Sequence, residues 1–173
     1  MNKLYILVGN IGSGKSTFAQ NFIEEKRKKG KKIIYVSRDS LRYMFGAGKY
    51  NFDPELEPLV IQGTLDLLNG FMRTGIDIVL DETNISVDLR KDFIDLGKKY
   101  QYYNIALIMP RLLKKTSVDR RMKIPHDIRD RKIWERVWDK FNEQYDTPTI
   151  KEGFNEIRFL EKDNEHLLRF KKL

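Results

Sequence analysis

Five short apolar runs alternate along the chain with longer stretches in which apolar residues recur at helical spacing. Short runs rich in β-branched and aromatic residues favour strands, and the periodic stretches favour helices. The predicted strands are 3–8, 33–36, 76–80, 105–109 and 156–160. The predicted helices lie near 15–28, 40–45, 55–73, 86–100, 112–121, 127–145 and 164–171. This alternation is typical of an α/β fold in which helices cover both faces of a parallel sheet.

The predicted helix 127–145 carries an apolar stripe. Its members are Ile133, Val137, Trp138, Phe141 and Tyr145, and Trp134 lies one turn before Trp138. Such a stripe packs against a core far more often than it forms a platform for stacked bases. We therefore interpret this stripe, Trp134 included, as core packing.

No repeat, low-complexity segment or linker divides the sequence, so its 173 residues predict a single domain, 1–173, with a substantial core. Segment 46–54 has the composition of a loop and predicts a surface loop, with a mobile flap as the alternative. The chain contains no cysteine, which excludes a disulfide scaffold, a thiolate zinc site and a cysteine nucleophile. No apolar stretch approaches the ~20 residues that span a bilayer, and the N-terminus lacks a signal-peptide pattern. We expect a soluble, cytoplasmic protein, whose oligomeric state stays open.

The net charge of +8 suggests an anionic partner larger than a nucleotide. Segment 26–32 packs six cations around Gly30. We interpret it as a solvated helix end, because cations there complement the negative end of the helix dipole. Segment 111–132 carries nine Lys or Arg against three Asp and is the better candidate for function.

Residues 9–16 read Gly-Asn-Ile-Gly-Ser-Gly-Lys-Ser, a complete GxxxxGK[ST] phosphate-binding loop between a predicted strand and a predicted helix. In such a loop, successive backbone N–H groups converge on phosphate oxygens and the positive helix end adds attraction. Lys15 can reach the β- and γ-phosphates, and the Ser16 hydroxyl can ligate Mg²⁺. The sequence therefore predicts a site for ATP and Mg²⁺. The predicted nucleotide-binding residues are Gly9, Asn10, Ile11, Gly12, Ser13, Gly14, Lys15, Ser16 and Thr17.

A second cluster follows the second predicted strand, at the edge of the sheet that carries the phosphate loop. Asp39 and Arg42 are three residues apart and share one face of the predicted helix. Asp39 is a candidate general base facing the γ-phosphate, and Arg42 is a candidate ligand for an anionic group of the acceptor. An ordinary carboxylate suffices because phosphoryl transfer needs positioning more than early proton removal. The alternative is structural, with Asp39 as the helix cap and Arg42 in a surface ion pair.

Acidic residues also follow the third predicted strand. Asp81 suits a place beside Mg²⁺, where it orients a metal-bound water or Ser16. The adjacent Glu82 makes the pair similar to the end of the Walker B strand of motor ATPases, in which a glutamate activates water. That non-kinase ATPase is an alternative, and it needs modules for which this chain has little room.

The third cluster lies at 119–125, where Pro125 interrupts a helical pattern rich in guanidinium groups. A lid that closes over a triphosphate needs this composition. An arginine supplied to the transferring phosphoryl group can raise the rate by about 10³–10⁵. Arg121 is the first candidate and Arg120 the second.

Together these motifs resemble those of the phage-type polynucleotide 5′-hydroxyl kinases, within the broader class of small P-loop kinases. The resemblance covers nearly all of residues 1–145. It rests on the loop at 9–17, Arg38-Asp39-Ser40-Leu41-Arg42, Asp81-x-Thr83-Asn84, and an arginine-bearing segment before Ile124-Pro125-x-Asp127. It implies a P-loop kinase fold, with a five-stranded parallel sheet and an arginine-bearing lid over about 111–126.

The resemblance also implies an activity, the transfer of the γ-phosphoryl group of ATP to the 5′-OH end of RNA or DNA. The resemblance implies that Lys15 and Ser16 bind the triphosphate and metal, and that Asp39 activates the 5′-OH. Arg42 holds the 3′-phosphate of the acceptor, and a lid arginine contacts the donor phosphates. The implied substrate-binding set is Arg38, Arg42, Asp81, Glu82 and Asn84.

Three points stay open at this stage. Either Asp81 or Glu82 can take the family role, and either lid arginine can be the catalytic one. The acceptor can be RNA or DNA and the donor ATP or GTP. A kinase of the same fold that acts on a small metabolite or nucleoside-like acceptor is the main alternative function.

Overall fold

A sheet of six strands forms the centre of the protein in the computed structural model, which describes residues 1–124, 128–162 and 168–170. The strands are β1 (Lys3–Val8), β2 (Ile33–Val36), β3 (Asp77–Leu80), β4 (Tyr103–Ile108), β5 (Glu156–Lys162) and β6 (Leu168–Phe170). Their order across the sheet is β2-β3-β1-β4-β5-β6. The first five strands are parallel, and β6 runs antiparallel to β5. The predicted five-stranded parallel sheet is confirmed.

Six helices connect the strands. They are α1 (Lys15–Lys28), α2 (Arg38–Phe45), α3 (Glu57–Met72), α4 (Val87–Lys99), α5 (Lys114–Met122) and α6 (Arg131–Glu143), and a 3₁₀ turn covers Ile150–Glu152. α2 begins at Arg38 because the Ser37 hydroxyl accepts from the Ser40 N–H at 3.1 Å. Ser37 therefore caps this helix, and the interpretation of Asp39 as its cap is wrong. Asp39 stands in the first turn, where a negative charge complements the helix dipole.

Each face of the sheet buries its own hydrophobic cluster, because successive side chains of a strand point to opposite faces. On one face Leu4, Ile6 and Val8 pack with Leu68 of α3 and Phe93 of α4. On the other face Tyr5 and Leu7 pack with Phe18 and Phe22 of α1. Helices thus cover both faces, as the alternating pattern predicted. The carboxyl ends of the central strands are left open at one edge, where ligands bind in such sheets.

The apolar stripe of α6 packs outside these two clusters. It forms a third cluster in which Trp134 is buried with Val118 of α5 and Ile11 of the phosphate loop. The prediction of a buried Trp134 is confirmed. Val137, Trp138 and Phe141 are half-buried and pack against this third cluster. Tyr145, which lies beyond the end of α6, packs instead against the sheet cluster that contains Leu4. The interpretation of the stripe as core packing therefore holds for these residues, although most of them cover α5 and not the sheet.

The predicted helix 164–171 is wrong where the structure describes it. Residues 168–170 form β6, with Leu160 opposite Phe170 and Lys162 opposite Leu168. A short apolar run fits a helix or a strand equally well, and here the free edge of β5 supplies backbone partners. Residues 163–167 and 171–173 lie outside the described residues, as do 125–127, which hold the end of the predicted lid and the start of the predicted helix at 127.

The remaining connections agree with the sequence pattern. Residues 46–54 form neither helix nor strand, as predicted for a surface loop. Among the described residues, no helix has the length and apolar character needed to cross a membrane.

Candidate active site

The phosphate loop joins β1 to α1, and its glycines adopt conformations that other residues avoid. Gly12 has φ +66° and Gly14 has φ +97°, both in the left-handed region. A Cβ atom on Gly12 would lie 2.2 Å from the carbonyl oxygen of Ser117 in α5. The loop is therefore wedged against α5, and only glycine allows this approach.

Two other segments, the turn after β3 and α6, hold the loop from behind. The Asn84 amide donates to Leu7 O at 2.9 Å, and the Asn10 amide donates to Trp138 O at 3.0 Å. Asn84 is buried and adopts φ +47°. The structure thus places Asn84, Asn10 and Gly9 behind the cleft and not on its wall, although the sequence assigned all three to ligand binding.

Lys15 folds back onto the phosphate loop. Its ammonium donates to Gly9 O at 2.9 Å and to Asn10 O at 2.8 Å. Burial lowers the pKa of Lys15 to about 8, although the nearby carboxylates of Asp81 and Asp39 favour the charged form. An arriving triphosphate offers this ammonium stronger partners than two carbonyl oxygens. Asp39 and Lys15 line the same cleft, so the carboxylate of α2 and the phosphate loop face one space.

Asp39 belongs to a three-residue network with Arg42 and Glu57. Arg42 donates to Asp39 Oδ1 at 2.6 Å, and its other edge binds Glu57 of α3 in a bidentate pair at 2.8 and 2.6 Å. The Arg42 side chain is 14% exposed, whereas that of Asp39 is 47% exposed. The arginine is therefore fixed in place, whereas the Asp39 carboxylate, which Arg42 contacts at Oδ1, is half-exposed on the cleft wall.

The two acids that follow β3 have different partners. Asp81 accepts a hydrogen bond from the Tyr35 hydroxyl at 2.7 Å. Glu82 accepts from the backbone N–H of Arg38, and its other oxygen lies 3.7 Å from Arg38 Nε. Burial raises the pKa of Glu82 to about 7, even though Arg38 opposes that rise. Glu82 thus ties the end of β3 to the start of α2.

The two lid arginines leave α5 in different directions. Arg120 donates to the carbonyl oxygen of Gly12 at 3.4 Å and so touches the phosphate loop itself. The Arg121 guanidinium lies 4.4 Å from the Trp134 ring centroid and 5.8 Å from that of Tyr50. Helix α5 is therefore in contact with both the phosphate loop and the loop after α2.

These groups open into one cleft of about 1700 Å³. The predicted site residues on its wall are Ile11, Gly12, Ser13, Gly14, Lys15, Ser16, Thr17, Arg38, Asp39, Arg42, Asp81, Glu82, Arg120 and Arg121. Most of the predicted site is thus brought together. Residues from α3, α6 and the loop after α2 complete the wall.

The residues present fit a magnesium-bound triphosphate. The glycines of the loop leave room for an anion, and Ser16 and Thr17 are exposed at the start of α1. Within the described ranges, no group of three or more His, Cys, Asp or Glu could hold a metal ion. In a nucleotide site Mg²⁺ keeps several waters and takes one or two protein ligands plus phosphate oxygens. Ser16 and Asp81 are the residues that could supply those ligands.

Sequence reasoning missed several residues of the cleft region, and three of them take part in the contacts described above. Glu57 and Tyr50 line the wall, and Tyr35 lies behind it as the hydrogen-bond donor to Asp81. None belongs to a motif, and Glu57 reaches Arg42 from 15 residues away. The alternation of β2 could have pointed to Tyr35, because its hydroxyl needs a partner where the side chain is half-buried.

Comparison with known proteins agrees with this geometry. The model of the AAA domain family matches residues 4–148. The L-seryl-tRNA(Sec) kinase of Methanococcus maripaludis is 27% identical over 151 residues, which are 86% of this chain and 54% of that protein. The chain thus spans about half the length of this curated relative.

The fold of this chain is also similar to the folds of solved structures. A chain of the Pnkp1/Rnl/Hen1 complex is 28% identical, with a TM-score of 0.58, over 69% of this chain and 38% of that chain. The Mycobacterium tuberculosis APS kinase CysC, in complex with AMPPNP and APS, has a TM-score of 0.63 at 13% identity, over 91% of this chain and 88% of that chain. The second likeness concerns the fold alone.

Proposed function

We propose that this chain, which belongs to the AAA domain family and has the P-loop kinase fold, transfers the γ-phosphoryl group of ATP to the 5′-OH end of a polynucleotide. The observation that carries the proposal is the shared cleft of Lys15 and Asp39. It puts a triphosphate-binding loop and an open carboxylate on either side of one space. A kinase needs this arrangement, because the acceptor hydroxyl must lie in line with the γ-phosphorus.

The donor side uses the phosphate loop. The N–H groups of residues 12–17 receive the phosphates, and Lys15 exchanges its two carbonyl partners for β- and γ-oxygens. Ser16 and Asp81 are the residues that hold Mg²⁺, which neutralises charge on the phosphates when it is bound. Arg120 already touches the loop at Gly12, so a small movement of α5 brings it to the donor phosphates.

The acceptor side uses the network of α2 and α3. Asp39 accepts the proton of the attacking hydroxyl at its free oxygen, while Arg42 holds the other oxygen in place. Three donors of Arg42 are engaged with Asp39 and Glu57, which leaves two N–H groups for a phosphate of the acceptor. The net charge of +8 favours a polyanionic acceptor over a neutral metabolite.

The direct test is incubation with γ-labelled ATP and Mg²⁺ in the presence of oligonucleotides that carry either a 5′-OH or a 5′-phosphate. We expect label on the 5′-OH strand only, with RNA and DNA compared in parallel. The affinity for the oligonucleotide should fall steeply with added salt. Basic residues that bind its phosphates displace the counterions of the nucleic acid, and added salt opposes that release. Label that appears only as inorganic phosphate would indicate the ATPase that uses Glu82, and an unlabelled 5′-OH strand refutes the proposal.

The seryl-tRNA kinase relative supports a second candidate acceptor, a hydroxyl on an amino acid esterified to tRNA. The same assay separates the two acceptors when serylated tRNA is included. Phosphate on the seryl group leaves the tRNA under mild alkaline deacylation, whereas phosphate on a 5′ end stays with the strand. Labelling of a small metabolite, insensitive to salt, would favour the small-acceptor kinase instead.

A further inference from the structure

Tyr50 lies in the loop between α2 and α3 and lines the acceptor end of the cleft. Its ring packs edge-to-face on Tyr43, with the ring centroids 5.6 Å apart. Burial raises the pKa of its hydroxyl, and Asp39 adds to that rise, while Arg42 and Arg121 oppose it. The hydroxyl is therefore protonated at neutral pH and stands among the charged groups of the acceptor network.

The partner of Tyr50 on the other side of the cleft is Arg121 of α5. The Arg121 guanidinium lies 5.8 Å from the Tyr50 ring centroid, and its charge opposes the rise in the pKa of the Tyr50 hydroxyl. The face of Trp134 holds the same guanidinium at 4.4 Å. Arg121 is thus held between an aromatic ring of α6 and one of the loop after α2, in two cation–π contacts.

Arg121 also lines the same cleft as Lys15, and its charge disfavours the charged form of that lysine. It therefore lies between the lysine that receives the triphosphate and the tyrosine beside Asp39. An arginine that stabilises a transferring phosphoryl group has to occupy this intermediate position. Arg120, by contrast, is bound to the phosphate loop.

We propose that Tyr50 is a positioning residue that holds Arg121 between the donor and acceptor halves of the site. This rests on the proposed kinase function, and it also decides between the two lid arginines in favour of Arg121. The hydroxyl of Tyr50 fixes the direction of the guanidinium, while Trp134 only supports its face. Loss of the hydroxyl leaves the charge nearby but poorly aimed, so the rate falls while the donor still binds.

The test compares Tyr50→Phe with Tyr43→Phe, which removes a hydroxyl from the neighbouring ring outside the cleft wall. In oligonucleotide phosphorylation, Tyr50→Phe should lower kcat by about tenfold with KM for ATP changed less than about twofold, since it affects transition-state contacts. Tyr43→Phe should match the unmodified chain. In an Arg121→Lys background, Tyr50→Phe should cost less than about twofold, because coupled residues are not additive. Equal losses in both backgrounds, or no loss from Tyr50→Phe, overturn the proposal.

A binding measurement keeps this result separate from the identity of the acceptor. Mg·ADP with aluminium fluoride imitates the transferring phosphoryl group, and Mg·ADP alone does not. Tyr50→Phe should weaken binding of the fluoride complex by about tenfold and leave Mg·ADP unchanged, following the tighter binding of transition-state analogues. If the wild-type chain labels no 5′-OH strand but shows this difference, the acceptor assignment fails and the role of Tyr50 stands. If Tyr50→Phe binds both probes normally, the role of Tyr50 is wrong.

Discussion

Arg42 holds Asp39 by a single oxygen, with its NH1 group 2.6 Å from Oδ1. Its remaining edge is fixed on Glu57 by two hydrogen bonds, so the guanidinium cannot turn away without breaking three contacts. A carboxylate with one oxygen occupied and one oxygen free is oriented for a single incoming proton. The arrangement makes Arg42 an orienting group for the base as well as a candidate phosphate ligand.

Replacement of Asp39 tests the role of that free oxygen. Asp39→Asn keeps the shape of the side chain and leaves Arg42 paired with Glu57, but it removes the proton acceptor. We expect phosphoryl transfer to fall by about 10²–10⁴-fold, the usual contribution of a general base. ATP affinity, measured by titration calorimetry, should stay within a few fold. Asp66→Asn, an exposed change on α3, is the matched control, and normal activity of Asp39→Asn contradicts the assignment.

Substitution of Gly12 tests the contact between the phosphate loop and α5. In Gly12→Ala the new methyl group meets the Ser117 carbonyl oxygen at 2.2 Å, at a residue with φ +66°. The left-handed conformation alone costs an alanine about 1–2 kcal/mol, and displacement of α5 adds to that cost. We expect a lower free energy of unfolding in urea and at least tenfold weaker ATP binding.

Gly70→Ala is the control for that experiment. Gly70 lies inside α3, and a Cβ atom there meets nothing within 4 Å. This change should raise the free energy of unfolding by about 0.5–1 kcal/mol, because alanine has the higher helix propensity. Unchanged ATP binding in Gly12→Ala would contradict the close contact of the loop with the lid.

The lowered pKa of Lys15 leads to the prediction that nucleotide binding takes up protons. Burial lowers the pKa of Lys15 to about 8, so near pH 8 about half of the free protein carries a neutral lysine. A triphosphate stabilises the ammonium and raises that pKa again, so binding should take up ~0.5 proton near pH 8 and ~0.1 near pH 7. Calorimetry with AMPPNP in buffers of different ionisation enthalpy measures the uptake. In Lys15→Arg, whose guanidinium is always charged, the uptake should disappear, and a persistent uptake would assign it to another group.

The sequence predicted the phosphate loop and its place between β1 and α1, because the pattern of this loop is local. Lys15 and Ser16 are adjacent to the glycines that shape the loop, so eight consecutive residues carry the whole signal. The sequence could also point to Asp39 as a candidate site residue, since Asp39 follows a strand at the edge where ligands bind in parallel sheets. Asn84 was misleading, because its motif position says nothing about whether its amide turns to the cleft or to Leu7 O.

The parts that could not be predicted depend on contacts between distant segments. Tyr50 meets Arg121 only after α5 folds over the sheet, and no spacing rule relates the two residues. The sequence placed Glu57 in a predicted helix, but the pairing of Glu57 with Arg42 depends on how α2 packs against α3. For β6, local spacing favoured a helix, and the free edge of β5 decided the outcome.

The buried ion pair between Arg90 and Glu152 leads to a prediction for the stability of the fold. Its side chain is fully buried, pairs with Glu152 at 2.7 and 3.0 Å, and donates to the backbone carbonyl of Asn84 at 2.9 Å. Removal of one partner of a buried ion pair leaves the other charge without compensation and typically costs about 3–5 kcal/mol. Arg90→Met should therefore lower the free energy of unfolding by that amount. It should also weaken ATP binding, because the segment that ends at Asn84 supports the phosphate loop through Leu7.

Lys91→Met, one residue further along α4, is the matched control for Arg90→Met. Lys91 forms an exposed pair with Asp95 at 3.0 Å, and such surface pairs contribute only about 0–1 kcal/mol. Urea denaturation of the two variants, followed by circular dichroism, should therefore show a large difference between neighbouring positions on one helix. Equal effects would mean that the Arg90–Glu152 pair contributes no more to stability than a surface ion pair, and the support of the loop by α4 would then have to come from apolar packing alone.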